Sequence, residues 1–585
     1  MRRFFSALGE KLRSLRDAYH RRKYILIARL AGRGGAHDDL SKRGLLLIQI
    51  DALPYETLCS AMERGYLPFL RRELLRGNFH LRKWYSGIPS NTPSVQAALL
   101  YGNNDGIPGF RWYERDQDLH INFKNPLNVG VVENRLNTLY PGLLEGGSSY
   151  SNMFSGGAST SVATLGTFAS VNIARRLRGL QIFMLVLTNF LTVLRTAYYT
   201  IKEFLIELND WFYALRHGLI QRGEYLFPLY RILMNVWVRE VITIGVLTDI
   251  ARGTPSIYAS YLAYDELAHQ RGPLSKSALA SLKTIDHRIR KIVRLARRRI
   301  LREYDIFVFS DHGITASMPF FYLYGQTLDK YVAELVDDNV MAYQHEHTGE
   351  SQVTYARILA LRLEAYEREL MHGARAIVKA FRRMLVRRIE RDQEMRNQQR
   401  TEDDVIVAVS GPLAHIYLPG GERLDEARVT ERYPRLIDGL VSHKGISVVI
   451  TRRGDTVAIR SSEGSAIIDT HGFAIASEGD PLPGIEPKQP AFRDIRRLLD
   501  MHNAGDVVVL GTNTGRYTVN LEEQMGAHGG LGGLQNSAFL MYQPDAVPPG
   551  VMVDNIDSSR KLHQVFKAAR NREEISRQQA SVKHA

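Results

Sequence analysis

The sequence predicts an α/β protein: a mostly parallel β-sheet between helices, with helical insertions. Three apolar runs carry this reading, and each ends in an aspartate. "GLLLIQIDALP" reaches Asp51, "PSIYASYLAYDE" reaches Asp265, and "YDIFVFSDHG" reaches Asp311 and His312. Such unbroken runs are the pattern of strands buried on both faces. Helical stretches lie between them, and polar residues at strand carboxyl ends stand where open α/β sheets bind their ligands.

The chain of 585 residues exceeds the usual single-domain size, which predicts one large core with insertions or two to three units. Residues 1–40 read as a basic amphipathic helical segment, packed on the domain or lying on a membrane surface. They have no long apolar stretch beside a small-residue cleavage site, so they do not read as a secretory signal. Residues 41–170 form the first part of the core and contain the candidate nucleophile. An apolar helical insertion follows at 171–250. Its uncharged stretch "GLQIFMLVLTNFLTVL" (179–194) is shorter than the roughly 20 residues that span a bilayer and includes Gln181 and Asn189, so it reads as a buried or membrane-surface helix.

Residues 251–330 return to the core and carry metal-ligand strands. At 331–404 a helical basic insertion places Ile377, Phe381, Met384, Leu385 and Ile389 on one apolar stripe beside a dense basic face, ordinarily a solvated one. The last part of the core, 405–548, includes "DVVVLGTN" (506–513) as a further strand. Residues 549–585 read as a polar, loosely ordered tail.

A 44% hydrophobic and 24% charged composition belongs to an ordinary globular protein and excludes a disordered or multi-span membrane chain. Cys59 is the sole cysteine, which excludes an intrachain disulfide and fits a reducing compartment. The net charge of +14 favours anionic partners: phosphate esters, nucleic acid or an acidic membrane surface. No nucleic-acid recognition motif is present, so specific nucleic-acid binding is not expected. The expected location is the cytoplasm, with peripheral contact to a membrane surface as the accompanying expectation. Oligomeric state is not legible.

In "GIPSNTPSVQAALLYG" (87–102), Thr92 is expected as a helix N-cap, Pro93 as the first helical residue and Gly102 as the stop. A hydroxyl there also stands where backbone N–H groups and the helix dipole favour a phosphate. Threonine is a weak nucleophile unless a base or metal ion assists it. Metal ligands are available in Asp51, Asp265, Asp311 and His312 at strand ends, His269 a turn after Asp265, and His528 in the glycine-rich "EEQMGAHGGLGG". Carboxylate oxygen with imidazole nitrogen suits Zn2+, with Mn2+ or Fe as substitutes. Taken alone, each has an ordinary structural reading as a helix cap or turn residue. Competing groups are Asp469 and His471 in "IIDTHGFAI", His345 and His347 in a polar loop, and His415 on a strand-like run, expected in the core or a pocket wall.

The order of the whole set resembles the alkaline phosphatase superfamily, most closely its type I phosphodiesterase and nucleotide pyrophosphatase branch. The branch's nucleophile segment reads Pro-Thr-Lys-Thr-Phe-Pro-Asn before a helix closing in Thr-Gly, and "PSNTPSVQAALLYG" keeps Pro89, Thr92, Leu99 and Gly102 in register. "DELAHQRGP" is similar to Asp-x-x-Gly-His-x-x-Gly-Pro, "SDHG" is unchanged, and "GAHGG" resembles the late His-Gly motif. The resemblance implies an alkaline-phosphatase-like sandwich and two divalent metal ions. Asp265, His269 and His528 would hold one; Asp51, Asp311, His312 and the Thr92 oxygen would hold the other. It further implies Thr92 as nucleophile, a phospho-threonine intermediate, and phosphodiester hydrolysis of an anionic phosphate ester.

Two departures stand out. Phe110 in "DGIPGFRWY" replaces the asparagine of His-Gly-Ile-x-Gly-Asn, and Asn91 replaces the lysine before the nucleophile. Oxyanion stabilisation is then expected from Asn91 or a backbone N–H. Alternatives at this point are a phosphomonoesterase or phosphotransferase of the superfamily, or a membrane-surface scaffold with a structural metal site. A sulfatase is disfavoured, since Thr92 cannot become formylglycine.

Overall fold

Leu45 and Leu47 of the strand Gly44–Ile50 pack into one core and Leu46, Ile48 and Ile50 into another, so every apolar residue of the run is buried. This strand lies at the centre of a seven-stranded sheet in the order 80–85, 537–542, 304–309, 44–50, 256–261, 148–150, 160–162. The strands from 304–309 to 160–162 are mutually parallel; Ser537–Tyr542 runs antiparallel to Tyr304–Phe309, and His80–Tyr85 antiparallel to it. One face is covered by helices Tyr55–Glu63, Pro68–Leu75, Arg239–Arg252, Ala263–Arg271 and Lys276–Ala296. Helices Thr92–Tyr101, Pro126–Leu139 and Ser559–Arg570 cover the other. The fold is therefore α/β, a mostly parallel sheet between helices.

The structure, a computed structural model, describes residues 40–167, 239–336 and 404–572, the positions 201, 379, 382 and 383, and the backbone of 342–344. The basic segment 1–39, the stretch 179–194, the stripe from Ile377 to Ile389, and His345 and His347 lie outside the described residues. Among the described residues no helix is long and apolar enough to cross a membrane.

The late strand is borne out, and the polar tail needs correction. "DVVVLGTN" does form a strand, Val507–Gly511, but in a second, eight-stranded and mostly antiparallel sheet that spans 342–344 and 405–479 and has its own cores on both faces. An apolar run alone does not say which sheet it enters, because partner choice is non-local. Nor are residues 549–585 a polar tail throughout: Ser558 caps the helix Ser559–Arg570, whose Leu562, Val565, Phe566 and Ala569 are buried. Their spacing is helical, and Phe566 packs on Phe307 and Phe309 at 5.1 and 5.2 Å. Residues 573–585 lie outside the described residues.

Candidate active site

Strand register brings the first group together. Gln49 pairs with Phe309 across the parallel strands, so the chains leave the sheet with Asp51 beside Asp311. Ala52 adopts the left-handed region (φ 55°), which turns its N–H onto Asp311 Oδ1 at 3.3 Å. His312 follows, its Nε2 3.2 Å from Asp311 Oδ2. Asp51, Asp311 and His312 are fully buried and offer ligand atoms within 4.8 Å of one another.

The second group forms from a helix and a loop. Asp265 was expected at a strand end; it lies instead in the first turn of the helix Ala263–Arg271, where an i, i+4 spacing puts it on one face with His269. His528 comes from a distant stretch. The short strand Gly526–Ala527 pairs with Thr315–Pro319, just beyond His312, and returns His528 to the site. Gly526 permits this approach, since a Cβ there would stand 2.4 Å from the Ala268 carbonyl oxygen. His269 Nε2 and His528 Nε2 face each other at 2.9 Å and lie 3.3 and 3.6 Å from Asp265 Oδ1. The rings of His312 and His528 are 4.1 Å apart, so the two groups adjoin.

Thr92 stands beside the first group, with Oγ1 3.1 Å from His312 Nε2 and 3.4 Å from Asp51 Oδ1. It is not the N-cap that the sequence suggested. Asn91 caps the helix, accepting from Ser94 N–H at 3.0 Å, and Thr92 is the first helical residue. The reason is functional as well as local: an Asn cap satisfies the helix terminus and leaves the Thr92 hydroxyl to the cluster. Gly102 ends the helix in the left-handed region, as expected. Asn91 Oδ1 serves the cap, and Asn91 Nδ2 is buried without a protein partner.

The chemistry of the donor set fits cations. All three imidazoles direct Nδ1 at a backbone carbonyl: His269 at Gly526 (2.8 Å), His528 at Ser90 (3.1 Å) and His312 at Gly313 (3.0 Å). That leaves Nε2 of each turned to the cluster, the arrangement of ligating histidines. Asp265 Oδ1 and Asp311 Oδ2 are buried oxygens without hydrogen-bond partners. The electrostatics ask for positive charge. Burial, and after it the Asp311 carboxylate, push the Asp51 carboxyl well above its usual range. Burial would raise Asp265, but His269 outweighs it and holds that carboxyl low. Burial would likewise lower His269, yet Asp265 lifts it to about 9, while burial and then His312 push His528 well down. Asp265 and His269 thus favour each other's charged form, and a cation would satisfy the same three ligand atoms.

The second sheet contributes support. Ser410 Oγ accepts from the N–H groups of Phe110 and Arg111, both at 3.0 Å, and Arg111 Nη1 pairs with buried Glu522 at 2.6 Å. Phe110, where the family has asparagine, packs its ring near Phe123 at 6.1 Å. Of the competing histidines, the two described, His415 and His471, do not join the cluster. His415 is fully buried with Nε2 donating to the Pro108 carbonyl (2.9 Å) and Nδ1 accepting from Gly505 N–H (3.1 Å). Asp469 folds onto the N–H groups of His471 and Phe473 in an exposed turn. Cys59 is half-buried in the helix Tyr55–Glu63.

Two residues of the site were not anticipated. Gln49 donates from Nε2 to Asp51 Oδ1 at 3.1 Å, and Gln96 donates to Gln49 Oε1 at 3.0 Å. Their signal was available: a glutamine two before Asp51 in an otherwise apolar strand shares its face, and one four after Thr92 shares its helix face.

The mostly parallel sheet between helices, with carboxylates and imidazoles gathered beyond its strand ends, is the setting of a hydrolase acting on phosphoric ester bonds. The chain belongs to the type I phosphodiesterase / nucleotide pyrophosphatase family, whose sequence model matches residues 45–408. That family acts on phosphate esters such as nucleotides and is generally metal-dependent. Among solved structures, phosphonoacetate hydrolase from Sinorhizobium meliloti 1021, with phosphonoformate, is similar at 13% identity and a TM-score of 0.43, covering 92% of this chain and 98% of its own. Murine ectonucleotide pyrophosphatase/phosphodiesterase 5, in complex with AMP, is similar at 10% identity and a TM-score of 0.39, covering 91% and 95%. No curated protein matches the sequence.

Proposed function

We propose that this enzyme hydrolyses phosphodiesters by attack of Thr92, with two divalent cations, Zn2+ in the first instance, held by Asp51, Asp311 and His312 and by Asp265, His269 and His528. The observation that supports it most is the placement of the Thr92 hydroxyl against His312 and Asp51, beside a second triad whose Nε2 atoms turn inward. When bound, such cations supply positive charge that stabilises the oxygens of an in-line displacement at phosphorus and favours an ionised hydroxyl. The helix amino terminus at Thr92 adds its own positive dipole end. Thr92 Oγ1 forms the bond to phosphorus as the leaving alcohol or nucleotide departs, giving a phospho-threonine ester. Water then cleaves that ester and restores the hydroxyl. His269, His528 and His312 keep fixed orientations throughout, because their Nδ1 atoms stay on backbone carbonyls.

The test compares bis-p-nitrophenyl phosphate with p-nitrophenyl phosphate on zinc-loaded and manganese-loaded protein. Faster diester hydrolysis is expected; faster monoester hydrolysis establishes the phosphomonoesterase alternative instead. Thr92→Ala is expected to lower kcat by on the order of 10³-fold or more at unchanged metal content by elemental analysis. Wild-type turnover in that variant removes Thr92 as nucleophile.

A further inference from the structure

Gln49 and Asp51 share a strand face two residues apart, about 6.6 Å along the strand. Thr92 and Gln96 share a helix face four residues apart, about 6 Å along the axis. The two spacings match, and the structure uses the match. Asp51 meets Thr92 at 3.4 Å, and one step back Gln49 meets Gln96 at 3.0 Å, so helix and strand are joined by two polar rungs in an otherwise apolar interface. Gln49 and Gln96 are both fully buried.

The lower rung also has a forced polarity. Met153 N–H can only donate, and it donates to Gln96 Oε1 at 2.7 Å. Gln96 Nε2 must then face Gln49 Oε1, which also accepts from the Tyr258 hydroxyl, and Gln49 Nε2 must face the Asp51 carboxylate. Asn152 holds the far side, its Oδ1 3.4 Å from Gln96 Nε2 and its Nδ2 donating to Ser149 Oγ at 2.9 Å. Neither amide can flip without placing an acceptor on an acceptor or a donor on a donor.

We infer that Gln49 and Gln96 are positioning residues for the phosphoryl-transfer step. Their amide rung sets the register of the Thr92 helix against the strand that carries Asp51, and so fixes the hydroxyl within reach of the Asp51 triad. This rests on the reading of Thr92 as nucleophile. Gln49 acts on the Asp51 carboxylate directly and on Thr92 through Gln96; Gln96 acts on Thr92 alone.

The experiment uses full-length protein in four forms: Gln49→Leu, Gln96→Leu, the double variant and Thr92→Ala. Each is measured for kcat and KM on bis-p-nitrophenyl phosphate, Zn2+ affinity by chelator competition, and melting temperature. Gln49→Leu is expected to weaken Zn2+ binding by about 10–100-fold and to lower kcat. Gln96→Leu is expected to lower kcat by a similar factor with KM and Zn2+ affinity unchanged. In the double variant no amide is left facing an apolar group across the rung, although Met153 N–H and the Tyr258 hydroxyl still lose their acceptors, so its melting temperature is expected to fall by less than the sum of the two single variants while kcat stays low. A purely structural role would instead restore kcat with stability, and wild-type kcat in the double variant overturns the inference. If Thr92→Ala keeps wild-type turnover, the nucleophile reading fails; if it abolishes turnover while the glutamine variants remain normal, the positioning role alone fails.

Discussion

The two ligand groups adjoin, yet they are built differently. Asp51, Asp311 and His312 leave adjacent parallel strands and are sealed from solvent, at 3%, 0% and 0% exposure. The side chains of Asp265, His269 and His528 come from a helix and a glycine-bearing loop and remain 14%, 19% and 10% exposed. The buried group has two carboxylates to one imidazole, and burial drives Asp51 towards its protonated form. The less buried group has one carboxylate to two imidazoles, and the Asp265 carboxylate raises the His269 imidazole to about 9. Sheet register thus makes an acidic, sealed half beside Thr92, the proposed nucleophile, and helix-loop contacts make a less deeply buried half. With the proposed two cations bound, the first half should hold its ion tightly and the second should exchange it.

Breaking the buried half should have the largest effect. Asp311→Asn removes a charge no solvent can replace, and kcat is expected to fall by on the order of 10³-fold, with one equivalent of metal lost by elemental analysis and no recovery in excess Zn2+. His528→Ala should behave differently: a loss of about 10–100-fold at limiting metal, partly recovered by raising Zn2+, because that group is less deeply buried. Equal responses of the two variants to added metal would abolish the distinction between the halves.

His415 sharpens the comparison from outside the site. It is buried as fully as His312, but the backbone occupies both of its nitrogens and no carboxylate compensates a charge. Burial lowers its imidazole to about 4 from the ordinary 6.5. The folded state therefore binds its proton less readily than the unfolded one. The resulting stability is fully present above pH 6.5 and is lost as pH falls towards 4, on the order of 3 kcal/mol in all. His415→Gln should flatten that part of the curve of denaturant midpoint against pH; an unchanged slope would show that this histidine does not set the acid limb.

The smallest effect is expected at Ala52. A non-glycine residue at φ 55° costs roughly 1 kcal/mol, offset in part by the greater freedom glycine has when unfolded. Ala52→Gly should therefore raise stability by up to about 1 kcal/mol in denaturant melts. A clear destabilisation would mean that the methyl group packs usefully in the core beneath the buried triad.

Much of this was legible along the chain. Apolar runs ending in aspartate announced the parallel strands, whereas Asp265 was read at a strand end and its place on one helix face with His269 was not. Asn91 as the cap was open to the same local reasoning, but the competing preference of Thr92-Pro93 for a helix start obscured it. The helix Ser559–Arg570 was missed because four apolar positions spaced for one face were dispersed among basic and polar residues. The antiparallel sheet was not separable from the central one, since Val507–Gly511 and Gly44–Ile50 have the same local character.

By itself the sequence determined which side chains are candidates for metal binding and nucleophilic attack, and the strand and helix periods that put Gln49 with Asp51 and Thr92 with Gln96. Only tertiary structure decided that Gln49 would align with Phe309, that Gly526 would let His528 close on His269, and that the glutamine pair would bridge helix and strand. The physical reason is range. Periodicity follows from covalent geometry within a few residues, whereas register and close approach depend on packing between segments hundreds of positions apart.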